Sequence, residues 1–450
     1  MRSRTILKVA GSIIAAGLLG ACGVDRSGEY YALISTQTWM YETMQQNYLF
    51  YQDLPEESGV NFFTEPSSLI NTLASSQDKK DGTTFSHIDS VYSSKAISSV
   101  PTFGFEGALV RIEDGSYGIR VLYTQENSPA SEAGLKRGDW IIAANNKKIN
   151  STDYDLYIGS PSQAYNFTMG NYNGTGFDTL KTVQMPAPRL VEIKNLYKWQ
   201  IISQGSRKAA YIMYNEFGDD SQELKDLFSQ LAGQQFNDII LDLRYNPGGY
   251  VNISQLLSTN IAPQEAIGQP FLKMTYNDKI NKTEVLNFES ALLVGGKPLS
   301  YDNLYIITSG NTASASEIVI NCLKPYLNER LLQVGTATYG KNLAQQLFTD
   351  SEKAPMIEFW LTTSRLSNSK DFSDYFENGL QPDFNVSENL GGTLGELGSA
   401  QDSLMIPILK RMESGSFPST GESDNTTTRM TKGIQVISNS ISFKPKTAKF

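Results

Sequence analysis

Asp238-Ile239-Ile240-Leu241-Asp242-Leu243-Arg244-Tyr245-Asn246-Pro247-Gly248-Gly249 is the stretch of this chain whose reading decides the fold class. Its first half is almost continuously apolar. A strand with one solvated face alternates, whereas a strand covered on both faces of a sheet does not, so the run predicts a central strand in an α/β layer. Its second half is a turn in which proline and two glycines clear bulky side chains from the strand end. Backbone N–H groups there can point into a crevice, the usual place for a ligand in an open α/β sheet, although the same residues also make a plain tight turn. Working outward, residues 209–214 read as another strand, and 220–232 as a helix with Leu224, Leu227 and Leu231 on one face. Further apolar strands are predicted at 303–308, 331–334 and 356–363, giving an α/β region from about 190 to 392.

Upstream the texture changes to short alternating strands with glycine turns over residues 100–187. Phe103-Gly104-Phe105 leads into a strand at 108–112, and another follows at 118–123. Residues 128–145, Ser-Pro-Ala-Ser-Glu-Ala-Gly-Leu-Lys-Arg-Gly-Asp-Trp-Ile-Ile-Ala-Ala-Asn, are similar to the core of a PDZ domain. On that resemblance Phe103, Gly104 and Phe105 correspond to the loop that receives a peptide's C-terminal carboxylate. Successive N–H groups in a glycine turn bind a carboxylate, and the adjoining strand edge pairs with the peptide as an added strand. A β domain that only packs against its neighbours is the plainer alternative. Residues 159–176 read as a long insert, and Glu106 puts a negative charge in the carboxylate loop.

The N-terminus carries Arg2, Arg4 and Lys8 before a short apolar run, then Leu19-Gly20-Ala21-Cys22. This is a secretory signal, too short for a comfortable membrane span. Its ending resembles a bacterial lipobox, which implies lipidation of Cys22, cleavage after residue 21 and a membrane partner reached through acyl chains. By resemblance to lipoprotein sorting, glycine at position 23 points to the outer rather than the inner membrane of a bacterial envelope. Residues 22–32 read as a tether. Helices are predicted over 36–54, with Trp39, Met40, Met44 and Tyr48 in register, and over 66–76, making a small helical domain at 33–99. Residues 413–450, rich in serine and threonine, read as a flexible tail with one weak strand at 434–437 and no assigned function.

Composition restricts the chemistry. The 450 residues include one histidine, His87, and two cysteines, Cys22 and Cys322. A histidine-dependent triad or a histidine-rich zinc site would run through His87 alone, which reads as structural or merely exposed. Two cysteines make neither a disulfide framework nor a four-thiolate metal site, and Cys322 reads as a small buried side chain. No cofactor is expected. The net charge of −9 lacks the basic excess of a nucleic-acid binder. If the chain is a hydrolase, its general base is not expected to be histidine.

Two more segments carry possible chemistry. Thr308-Ser309-Gly310-Asn311-Thr312-Ala313-Ser314-Ala315-Ser316-Glu317 joins a strand to a helix over 316–327, where a serine faces the positive end of the helix dipole. Ser314 or Ser316 can equally be a helix cap. In Tyr339-Gly340-Lys341-Asn342-Leu343-Ala344-Gln345 a buried lysine would lose its proton through desolvation and act as a base, with the glutamine carbonyl fixing the amine.

Taken in order, Asp-Leu-Arg-x-Asn-x-Gly-Gly, Thr-Ala-Ser-Ala-Ser-Glu, Gly-Lys-x-x-x-Gln and Gly379-Leu380-Gln381-Pro382-Asp383, behind a PDZ-like module, resemble the carboxy-terminal processing (tail-specific) serine peptidases. The resemblance implies an α+β multidomain chain: a crotonase/Clp-protease-like α/β catalytic domain at 188–412, a PDZ-like β domain at 100–187 and the helical N-terminal domain. It implies Ser316 as nucleophile, 25 residues before Lys341 as base, with Gln345 orienting the lysine. Ser314, at 27 residues, is the competing serine. The oxyanion donors it implies are the N–H groups of Glu317 and of Gly248 or Gly249, with Gly248 preferred. The implied activity is endopeptidase cleavage of exported polypeptides through an acyl-enzyme, with cleavage near their C-termini left open. A non-catalytic peptide- or ligand-binding lipoprotein of the same fold, or a Ser/Lys amidase on cell-wall peptides, are the rival readings.

Overall fold

The computed structural model describes residues 27–90, 101–419 and 433–441; the signal segment and Cys22 lie outside them. Its centre is a six-stranded sheet in the order Leu196–Gln204, Arg207–Tyr214, Asp238–Asp242, Asn303–Thr308, Leu331–Gly335, Phe384–Asn385. The first pair is antiparallel and the rest are parallel. Every residue of Asp238–Asp242 is buried, as its apolar run predicts. Ile239 and Leu241 face a helical layer with Leu224, Leu227, Leu256 and Ile318. Ile240 faces the other way, where Tyr211, Tyr305 and Ile307 meet the helix Met405–Ser414 and, from the PDZ-like domain, Ala108, Val110 and Trp140.

A second sheet runs in the order Thr283–Asn287, Pro270–Tyr276, Ala354–Ser367, Leu343–Asp350, with His87–Ser90 pairing onto Ala354–Ser367. The first helix spans Ser27–Asn47, starting inside the stretch expected to be a tether and stopping short of residue 54. Trp39, Met40, Met44 and Tyr48 are buried with Leu69, Ile70 and Leu73 of the helix Pro66–Leu73, against Phe359 and Leu361 of the second sheet. The N-terminal helices therefore share a core with the second sheet. His87 is structural here: Nδ1 lies 2.8 Å from the Phe85 carbonyl and the ring stacks on Trp360. Cys322 is fully buried.

The PDZ-like sheet has the order Gln435–Asn439, Phe105–Arg111, Tyr117–Thr124, Trp140–Ala144, Tyr165–Tyr172, Phe177–Met185. Two expectations are corrected in it. The stretch read as an insert at 159–176 contributes the core strand Tyr165–Tyr172, whose Phe167 and Met169 pack under Phe103 and Phe105. The weak strand expected at 434–437 is present as Gln435–Asn439, and the correction concerns its place: it is an edge strand of this sheet and not part of a free tail.

Candidate active site

Beyond Asp242 the chain turns through Leu243 to Gly249. Asn246 pins this turn, its side-chain amide donating to the Tyr214 carbonyl at 2.8 Å. Gly248 has φ +110, and a Cβ there would lie 2.7 Å from Cβ of Ser314 and 3.0 Å from the Ala315 nitrogen. Only glycine lets this backbone approach the serine turn so closely. The Gly248 N–H donates to Asn246 Oδ1 at 2.9 Å.

Facing it, the strand Asn303–Thr308 leads into the helix Ala315–Leu327. Ser314, its N-cap, holds φ 55 and ψ −116, a conformation that costs a non-glycine residue free energy and is found at functional sites such as the sharp strand-to-helix turn that presents a nucleophile. Ser316 is one residue into the helix. Its Oγ donates to the Asn246 carbonyl at 3.0 Å and it has no exposure. This hydroxyl braces the glycine turn.

Glu317 ties the parts together. Its buried carboxylate accepts from the Ser314 N–H at 2.8 Å, the Lys341 N–H at 2.8 Å, the Gly340 N–H at 2.6 Å and the Thr338 hydroxyl. Burial raises its pKa while these four donors oppose the rise. In the capping box the Glu317 N–H faces the Ser314 side chain. One carboxylate thus holds the serine turn and the lysine segment side by side.

Lys341 is wholly buried, and its amine donates to Gln345 Oε1 at 2.8 Å. Burial lowers its pKa to about 7, against the opposing pull of Asp78 and Glu317. The ring of Phe85 lies 5.4 Å from Nζ. Asp78 is buried beside Tyr48, Thr362 and Ser86, which bond its carboxylate. Phe85 and Asp78 belong to the N-terminal region, and no sequence spacing links them to Lys341.

A second buried cluster lies behind the turn. Arg244, without exposure, bonds Asp242, Asp402 at 2.6 and 2.9 Å, and Glu388 at 3.1 Å. Arg137 of the PDZ-like domain reaches Glu388 and, at 2.9 Å, the Tyr245 hydroxyl. Burial alone would raise the pKa of Glu388, but Arg137 and Arg244 hold it down at about 2. The structure thus brings Gly248, Ser314, Ser316, Glu317, Lys341 and Gln345 together. Phe103, Gly104 and Phe105 stand apart in the PDZ-like domain, where the two rings are core side chains and only backbone remains for ligand contact.

Residues 208–386 match peptidase family S41, residues 35–93 the peptidase S41 N-terminal domain and residues 120–159 a PDZ domain. The chain belongs to peptidase family S41. A Bacteroides fragilis protein assigned to the S41 proteases has a similar structure, with 28% identity and a TM-score of 0.73, over 84% of this chain and 97% of that one. The chloroplastic carboxyl-terminal-processing peptidase 3 of Arabidopsis thaliana is 25% identical over 57% of this chain and 49% of its own length. The carboxyl-terminal-processing protease of a Picosynechococcus strain is 27% identical over 53% and 54%. This S41 chain spans about half the length of the curated relatives it matches. The α+β multidomain architecture expected from the motifs, with N-terminal and PDZ domains around an S41 fold, is the architecture found.

Proposed function

We propose that this S41 chain is a serine endopeptidase acting on polypeptides, with Ser314 as nucleophile, Lys341 as general base and Gln345 positioning the lysine. The observation that carries the proposal is the buried Lys341 amine, lowered to about 7 and tied through Glu317 to the strained Ser314 turn. A base poised near neutrality is what proton abstraction from a hydroxyl requires. Ser314 is preferred to Ser316 because the strained backbone and the glycine approach both centre on it, whereas the Ser316 hydroxyl is bonded to the Asn246 carbonyl.

In the proposed reaction neutral Lys341 takes the Ser314 proton as Oγ attacks a peptide carbonyl. The oxyanion is met by the N–H after the serine, Ala315, and by an N–H of the Gly248-Gly249 turn once the Gly248 amide leaves Asn246 Oδ1. The C–N bond breaks, the lysine ammonium returns its proton to the departing amine, and a lysine-activated water hydrolyses the ester. One oxyanion donor is typically worth about 3–4 kcal/mol. Cleavage of unfolded casein tests the assignment. Ser314→Ala and Lys341→Ala are each expected to lose at least ~10³-fold in rate, and Ser316→Ala to keep measurable turnover. Loss in Ser316→Ala with cleavage retained in Ser314→Ala would reverse the choice of serine.

The proposal extends to an exported, lipid-anchored protein of the bacterial envelope. Cys22 in its lipobox-like setting supports it, and no helix among the described residues is long and apolar enough to cross a membrane. Metabolic labelling with an alkyne fatty acid is expected to mark the wild-type chain and not Cys22→Ala.

A further inference from the structure

The strand Phe105–Arg111 follows directly on the Phe103–Phe105 turn, and on its open side it is paired by Gln435–Asn439 of the same chain. The pairing is antiparallel, matching Gln435 with Arg111, Val436 with Val110, Ser438 with Leu109 and Asn439 with Ala108. It continues past a bulge as the Ser440 N–H donates to the Gly107 carbonyl at 3.1 Å and the Gly107 N–H to Ser440 Oγ at 3.0 Å. The segment therefore runs from Arg111 toward the turn at Gly104. Beside Gly107 stand Tyr154, whose hydroxyl donates to the Gly107 carbonyl at 3.3 Å, and Ile158. Ser438 and Ser440 also lie within bonding reach of the Tyr154 hydroxyl. A polypeptide added to this edge with its carboxylate toward the turn would need the same backbone groups and the same direction.

We propose that residues 433–441 are a resident, displaceable ligand of this chain's own peptide groove, and that an extended polypeptide gains the groove by replacing them. The hold is one a competitor can match. Val436 and Ile437 leave their side chains exposed, so the segment is kept by backbone bonds, Ser440, the half-buried Ile434 and the buried Ile441. Nine residues follow Ile441 in the sequence, so the occupant is internal chain and uses no terminal carboxylate. A tethered segment competes at an effective concentration of order millimolar, which sets the affinity or local concentration an incoming polypeptide has to reach. This inference rests on reading the groove as peptide-binding and does not require the peptidase assignment.

The test uses a fluorescein-labelled peptide of residues 433–441 and fluorescence anisotropy, in a Ser314→Ala background so that the probe survives. Three chains are compared: the parent, one carrying Val436→Pro and Ser440→Pro, and one ending at residue 419. Proline removes the N–H that Ser440 gives to Gly107 and disfavours the added strand. Both altered chains are expected to bind the probe at least ~10-fold more tightly than the parent. Equal binding by all three, or binding by none, overturns the proposal. Absence of casein cleavage by the unaltered chain would count against the peptidase reading alone and leave the anisotropy result standing.

Discussion

At the scale of single residues the site depends on a lysine that has been denied water. Folding takes Lys341 from an ordinary 10.5 to about 7 by burying it. The neutral amine is the form that accepts a proton, so kcat/KM for casein is expected to rise through about pH 7 and then level. A flat profile between pH 6 and 8.5 would contradict a lysine base. The same shift affects stability. Between about 7 and 10.5 the folded chain binds fewer protons at this site than the unfolded one, so stability rises with pH across that window. Lys341→Met is expected to abolish cleavage and to flatten that part of the stability curve, as read by chemical denaturation across pH. Lys341 and Gln345 were legible because their spacing is a motif. The choice between Ser314 and Ser316 was not, because two serines two residues apart differ in backbone angle and bonding partner rather than in residue type. Asp78 and Phe85 reach the lysine only through tertiary folding.

At the scale of elements the decisive contacts lie between a helix start, a strand end and a loop. Glu317 carries four donors on one carboxylate, and Glu317→Gln would turn an NH2 group toward backbone N–H groups. It is expected to lower stability by about 1–3 kcal/mol, the cost of leaving buried groups unpaired. Because it also loosens the register of serine and lysine, kcat is expected to fall more than KM changes; an unchanged kcat would deny it a positioning role. Gly248→Ala combines a φ of +110 with a Cβ 2.7 Å from Ser314, so the turn has to move. Its casein cleavage is expected to be lost, with the circular dichroism of the chain retained. Central strands such as Asp238–Asp242 were readable because burial on both faces leaves an apolar run. The strand Tyr165–Tyr172 was less so, its pattern broken by Gly170 and Asn171. The strand Gln435–Asn439 was placed as a weak strand, but its partner could not be read, because the contact is made by backbone while Val436 and Ile437 face outward.

At the scale of the whole molecule, buried charge joins the domains. Asp242 and Arg244 stand two residues apart in the motif, but Glu388, Asp402 and Arg137 come from distant parts of the sequence. Glu388 titrates near 4.5 when free and at about 2 in the fold. The stability it contributes is complete above about pH 4.5 and lost as pH falls toward 2. Acid unfolding followed by tryptophan fluorescence is expected to be shallower in Glu388→Gln, alongside lower stability at pH 7. Removing one partner of a buried ion network typically costs about 3–5 kcal/mol, so Arg244→Met is expected to be among the most damaging single changes. Domain order was legible from motifs. The seam between domains was not, because each charge looks solvated until its partner is known.

The cover over Lys341 carries a consequence for when this chain becomes chemically competent. Phe85, part of that cover, is encoded in the N-terminal region and the lysine far downstream of it, while Asp78 pulls the amine the other way. Until the two regions meet, the amine is an ordinary exposed lysine, neutral in roughly one molecule in 3 × 10³ at pH 7. A partly folded chain therefore carries every residue of the proposed reaction and almost none of its base, and completion of the fold is what would arm it.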